Sequence, residues 1–132
     1  MQEESSGGGG QVLVVDDDEA VLMWLSVELE GRGWQVDQAA SGRECLRYCQ
    51  KKTPDLVILD LMMPGLSGLD VASILRGRGY RGPVLLFSGY LVPEVAKRAK
   101  RLDLEPISKL DHEALYRRLG TLMPARVSHS PS

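Results

Sequence analysis

Three acidic residues in a row, Asp16, Asp17 and Asp18, directly follow the apolar run Val12-Leu13-Val14-Val15, and a lone Asp60 closes a second run, Leu56-Val57-Ile58-Leu59. Ser88 ends a third such run and Lys109 follows a fourth strand-like stretch. If these runs are parallel strands, their ends converge on one edge of a sheet and bring the carboxylates together. Carboxylates a few Å apart raise one another's pKa or recruit a counter-ion. A divalent cation is therefore predicted. Hard oxygen ligands, few of them fixed by the protein, suit magnesium handling a phosphoryl group better than zinc or calcium. In that chemistry Asp60 is the nucleophile and, being ionised, needs no base, while Ser88 and Lys109 each hold an equatorial oxygen.

The elements that must position these groups alternate regularly. Strands are predicted at 12–15, 34–39, 56–59, 83–87 and 105–108. Continuous apolar runs of this kind suit strands buried on both faces of a parallel sheet. Between them lie helical patterns. Val21, Leu22, Leu25 and Leu29 share one face, and Gly31 and Gly33 close that helix. Ser41-Gly42-Arg43-Glu44 reads as a capping box opening the next. A third helix is expected over 66–75, after the Met62-Met63-Pro64-Gly65 turn. Pro93 starts a fourth, with Val95, Ala99 and Leu102 on its apolar side, and Asp111 caps a last amphipathic one. Five βα repeats predict an open, doubly wound α/β sheet with its site at the carboxyl ends of the strands.

A chain of 132 residues with 43% hydrophobic content suffices for one domain and is too short for two. The predicted division is a Gly-rich leader over 1–10, the domain over 11–123 and a frayed tail over 124–132. A net charge of −2 carries no signature of bulk nucleic-acid binding, and no apolar run approaches the roughly 20 residues that span a bilayer. The leader lacks the basic start and apolar centre of a secretion signal, so the cytoplasm is the expected compartment. Cys45 and Cys49 match neither a zinc spacing nor a disulfide framework and are read as ordinary packed or half-exposed thiols. His112 and His129 have no companion ligands and are read as surface residues.

Together the stretches Val12-Leu13-Val14-Val15-Asp16-Asp17, Leu56-Val57-Ile58-Leu59-Asp60-Leu61-Met62-Met63-Pro64-Gly65 with Ser67-Gly68, Leu86-Phe87-Ser88-Gly89 and Ile107-Ser108-Lys109 closely resemble the response-regulator receiver domain of two-component signalling systems. The resemblance implies a flavodoxin-like (βα)5 fold, a five-stranded parallel sheet in the order 2-1-3-4-5. It further implies that Asp60 accepts a phosphoryl group from a histidine kinase or histidine phosphotransfer protein, so that the chain catalyses only its own aspartyl phosphorylation and dephosphorylation. Asp16, Asp17, Asp60 and the Met62 carbonyl would hold magnesium, Ser88 would be the switch hydroxyl and Lys109 the phosphate-contacting ammonium. The signal would pass to a downstream protein through the face made by the last strand and its flanking helices, a face that receivers also use for dimers formed on phosphorylation. No DNA reader is expected within this chain, since too little sequence follows the last helix for a winged helix.

The chain departs from the family pattern in three places. Leu110 follows the lysine where proline is usual, and the Lys109–Leu110 bond is predicted trans, because a non-proline cis bond costs about 3 kcal/mol. Pro106 occupies the usual place of an aromatic that swings between buried and exposed positions. Leu102-Asp103-Leu104-Glu105 replaces a small Gly-Ala pair. These departures keep in view a pseudo-receiver that binds proteins without being phosphorylated. A small magnesium phosphatase is disfavoured, since Met62 stands two after Asp60 where a general acid would be needed. Asp18 is read as a helix cap, and Lys97, Arg98, Lys100 and Arg101 as a solvated basic face. Met62 and Tyr90, two residues beyond Asp60 and Ser88, are expected to flank the phosphoryl group and restrict in-line water.

Overall fold

The computed structural model describes residues 10–122. The proposed leader, apart from Gly10, the tail with His129, and Met123 lie outside the described residues. Five strands, β1 (Gln11–Val15), β2 (Gln35–Ala39), β3 (Leu56–Leu59), β4 (Val84–Ser88) and β5 (Glu105–Ser108), alternate with five helices, α1 (Glu19–Gly31), α2 (Gly42–Lys51), α3 (Gly68–Gly77), α4 (Pro93–Arg101) and α5 (His112–Leu122). The strands form one sheet in the order β2-β1-β3-β4-β5, parallel throughout. This is the flavodoxin-like arrangement that the resemblance implies.

Successive strand residues point to opposite faces, and the core divides accordingly. Leu13, Val15, Val57, Leu59 and Leu86 pack with Leu46, Val71, Leu75 and Ala99 of α2, α3 and α4. Val12, Val14, Ile58, Leu85 and Phe87 pack with Leu22, Leu25, Leu29, Leu115 and Leu119 of α1 and α5. An unbroken apolar run is what a strand covered on both sides requires, and β1, β3 and β4 sit in the centre of the sheet.

Local chemistry sets the boundaries and adjusts several of those read from the sequence. Trp34 precedes β2 instead of opening it, and the fourth strand runs from Val84 through Ser88 rather than from Pro83. The Ser41 hydroxyl accepts from the Glu44 N–H at 3.1 Å, but the Glu44 carboxylate reaches back to the Ala40 N–H at 2.8 Å, one residue earlier than a capping box demands. A reciprocal box occurs instead at Ser67 and Asp70, and it starts the third helix at Gly68 rather than Leu66. Asp18 and Asp111 cap α1 and α5, accepting from Ala20 and Ala114 N–H groups.

Gly68 also fixes the end of β3. Its N–H donates to the Leu61 carbonyl at 2.8 Å, and a Cβ there would lie 2.2 Å from the Asp60 carbonyl oxygen. Only glycine lets α3 start against the backbone of Asp60.

The second half of the sheet is closed by Arg76. Its guanidinium donates to the carbonyls of Tyr80 and Gly82 before β4, at 2.9 and 2.8 Å, and to those of Leu102 and Asp103 before β5, at 2.9 and 2.8 Å. Asp103 takes the left-handed conformation with φ 57°, so the Leu102-Asp103-Leu104 substitution is accommodated by one strained residue and a cationic clamp. Among the described residues there is no cis peptide bond, in line with a trans Lys109–Leu110. Loss of four charge-assisted bonds in Arg76→Ala is predicted to lower unfolding free energy by about 2–3 kcal/mol, with Arg76→Lys recovering less than half. Urea denaturation of the two variants checks this.

Candidate functional site

Backbone bonds carry each polar residue to the same sheet edge. The Asp16 N–H donates to the Ala39 carbonyl at 3.1 Å and the Asp60 N–H to the Val15 carbonyl at 2.9 Å, so both carboxylates rise from the carboxyl ends of neighbouring central strands. Ser88 ends β4, and the Lys109 N–H donates to its carbonyl at 2.9 Å. Pro106 is compatible with this pairing. With Lys109 N–H turned toward β4, alternation turns the nitrogen of Pro106 away from it, to the open side of an edge strand. Pro106 is exposed.

The side chains meet. Asp16 and Asp60 are buried, at 2% and 6% exposure, as is Ser88 at 1%. Carboxylate oxygens of Asp16, Asp17 and Asp60 lie within 4.8 Å of one another. The Lys109 ammonium sits 2.8 Å from Asp16 Oδ2 and 3.2 Å from Asp60 Oδ1, bridging the two buried carboxylates. The other Asp16 oxygen accepts from the Asp18 N–H at 2.9 Å. Among the described residues nothing donates to the Met62 carbonyl, which leaves it available as an acceptor. Burial and the neighbouring Asp16 charge push the Asp60 carboxyl upward, with Lys109 opposing in part. Burial pulls the Lys109 ammonium down, but its hydrogen bond to Asp16 and the charges of Asp60 and Asp16 outweigh this, and its pKa is raised.

All of these groups line one open depression of about 410 Å³ whose wall also includes Met62 and Tyr90. Met62 and Tyr90 are 62% and 53% exposed, so two apolar side chains flank the polar floor. The Ser88 hydroxyl accepts from the Tyr90 N–H at 3.0 Å, which holds the loop after β4 over the pocket.

Every site residue predicted from sequence therefore lies in one pocket. Gly68 was not singled out as part of the site, although a glycine eight residues past Asp60 in a Ser-Gly pair before a helix is the available signal. His112 is exposed but packs against Trp24 in a tilted pair, with ring centroids 4.6 Å apart. Lys97, Arg98, Lys100 and Arg101 are exposed and form no ion pair among the described residues. No helix among those residues is long and apolar enough to cross a membrane.

The comparisons with known proteins agree with this geometry. Over 73 residues the chain is 38% identical to the alkaline phosphatase synthesis transcriptional regulatory protein SphR of Synechococcus elongatus, a match covering 48% of this chain and 28% of that protein. Over 68 residues it is 44% identical to the transcriptional regulatory protein KdpE of Mycobacterium tuberculosis, covering 52% and 30%. The chain thus spans under a third of the curated relatives it matches. Among solved structures, it resembles the response regulator TrrA of Thermotoga maritima in complex with Mg(2+)-BeF, with TM-score 0.76, 30% identity and coverage of 85% of this chain and 97% of that one. The chemotaxis protein CheY4 of Vibrio cholerae gives TM-score 0.78 at 28% identity, covering 85% and 97%. Residues 12–110 match the response regulator receiver domain, and the chain belongs to that family of signalling modules.

Proposed function

We propose that this chain is a working phosphoacceptor: Asp60 takes a phosphoryl group from a phosphohistidine of a histidine kinase or phosphotransfer protein. The observation that carries the reading is the buried pair Asp16 and Asp60, bridged by Lys109 at 2.8 and 3.2 Å on the floor of an open pocket. A carboxylate oxygen of Asp60 attacks phosphorus in line, the P–N bond breaks and the imidazole leaves. Lys109, already within contact distance of Asp60, moves its charge onto a phosphoryl oxygen, and the Ser88 hydroxyl contacts another. Moving Ser88 from its bond with Tyr90 N–H would transmit the change to the loop before α4.

The donor set fits magnesium. It is all oxygen, supplied by Asp16, Asp17, Asp60 and the Met62 carbonyl, and it holds more negative charge than Lys109 alone neutralises. A bound magnesium ion would supply neutralisation of charge on the phosphoryl oxygens. The chain's downstream contact is a protein, and its action is that of a cytoplasmic signalling module rather than an enzyme with an outside substrate.

Intact mass after incubation with acetyl phosphate and magnesium tests the proposal. One phosphoryl group is expected, absent in Asp60→Ala and without magnesium; no gain even with a phosphoramidate would leave a pseudo-receiver. Met62→Ala and Tyr90→Ala are each predicted to shorten the phosphorylated lifetime by about 3- to 10-fold by admitting in-line water. An unchanged dephosphorylation rate in both would discard the role of these side chains. Lys109→Met leaves two buried carboxylates facing each other without their cation, and is predicted to cost about 2 kcal/mol of stability in a chelator. Millimolar magnesium should raise its melting temperature more than that of the wild type, as read by differential scanning calorimetry.

A further inference from the structure

At the other end of the sheet from Asp60, where β3 and β4 begin, lies a second depression of about 510 Å³. Cys49 of α2 forms part of its wall, together with Lys52, Arg78, Tyr80 and Arg81. None of these groups takes part in the site described above. Three cations stand there against one carboxylate, Asp55, which already accepts from the Gln11 N–H at 2.8 Å.

The cations are tethered at the rim. Arg78 donates to the Leu46 carbonyl at 3.3 Å, Arg81 to the Arg76 carbonyl at 3.0 Å, and Lys52 pairs with Asp37 at 3.6 Å. Each of these bonds uses only part of the donor capacity of a guanidinium or ammonium. Cys49 is partly exposed, whereas Cys45, one turn earlier on the same helix, is fully buried. The neighbouring Cys45 thiol and the Arg78 charge draw the Cys49 thiol below its ordinary range against the opposing effect of burial. Cys45 is pushed upward and stays protonated. A partly accessible thiol in an electropositive hollow is the environment in which cysteines react.

We propose that Cys49 is a covalent modification site for anionic low-molecular-weight disulfides, seated in this hollow by Arg78, Lys52 and Arg81. The Cys49 thiolate attacks one sulfur of the disulfide, a Cys49–sulfur bond forms and the original S–S bond breaks. The other half departs as a thiolate that carries away the negative charge, so the Cys49 sulfur is oxidised and the leaving sulfur reduced. The small disulfide is the oxidant. Cys45, with no solvent access, cannot take its place. The hollow and the Asp60 pocket occupy opposite ends of β3, so this site operates independently of phosphorylation.

The test compares 5,5′-dithiobis(2-nitrobenzoate), a dianionic disulfide, with neutral 4,4′-dithiodipyridine on the native chain, following released chromophore and locating the adduct by peptide mass. One adduct is expected, on Cys49, absent in Cys49→Ser and unchanged in Asp60→Asn. The ratio of anionic to neutral rates should fall about 3- to 5-fold in Arg78→Gln, and likewise in Arg81→Gln should the first variant fold poorly. In the wild type it should fall as salt rises from about 20 to about 500 mM. Labelling confined to Cys45, labelling only in urea, or a rate ratio indifferent to both the substitutions and salt would overturn the proposal.

Discussion

The rest of the structure is arranged around one electrostatic constraint, the burial of Asp16 and Asp60 side by side. Two unit charges about 4 Å apart repel by about 4 kcal/mol at an effective dielectric near 20. Whole domains are stable by only about 5–15 kcal/mol. Such a pair persists only with a cation, and Lys109 is that cation, reached across β4 by the bond between its own N–H and the Ser88 carbonyl. With Asp17 added, the pocket still carries more negative charge than one ammonium cancels. The fold therefore holds a site whose charge is balanced only when a further cation enters. On the proposed function, that imbalance would make the pocket responsive to a phosphoryl group and a metal ion, since both would change the charge that Lys109 must serve.

The parallel sheet is what makes this concentration of charge affordable. Central strands sealed on both faces give Asp16 and Asp60 rigid supports, and Gly68 lets α3 pack directly on the Asp60 backbone. Toward the edge the construction changes. β5 contains a proline and, among the described residues, pairs only with β4, and the turn before it takes a left-handed Asp103. Arg76 ties that turn to the one before β4. The amino ends of β4 and β5 are thus clamped, whereas their carboxyl ends carry Ser88, Tyr90 and Lys109 around the pocket. On the proposed function, movement after phosphorylation would have more freedom at the second end than at the first. With Pro106 in place of an aromatic, that movement cannot be read by a swinging ring.

Much of this was legible from residue order. Unbroken apolar runs ending in Asp16, Asp60 and Ser88 mark central parallel strands, and topology alone then brings their ends together. Helix caps at Asp18 and Asp111 followed from side-chain chemistry. Where the sequence misled, two local patterns competed: Leu66 continues an apolar period, but the Ser67–Asp70 box starts the helix at Gly68. At Ser41 the glutamate reaches one residue further back than the motif assumes. Arg76 could not be found in advance, because its four acceptors are backbone carbonyls, and two of them lie 26 and 27 residues away. The apolar flanks of the pocket were visible in advance, since Met62 and Tyr90 follow from their offsets.

Calorimetric titration of the chain with magnesium, in the absence of any phosphodonor, bears most directly on the charge imbalance. One ion per chain is predicted, with affinity lost in Asp16→Asn. Absence of binding, or binding that survives Asp16→Asn, would contradict the view that these carboxylates form a single cation-demanding site.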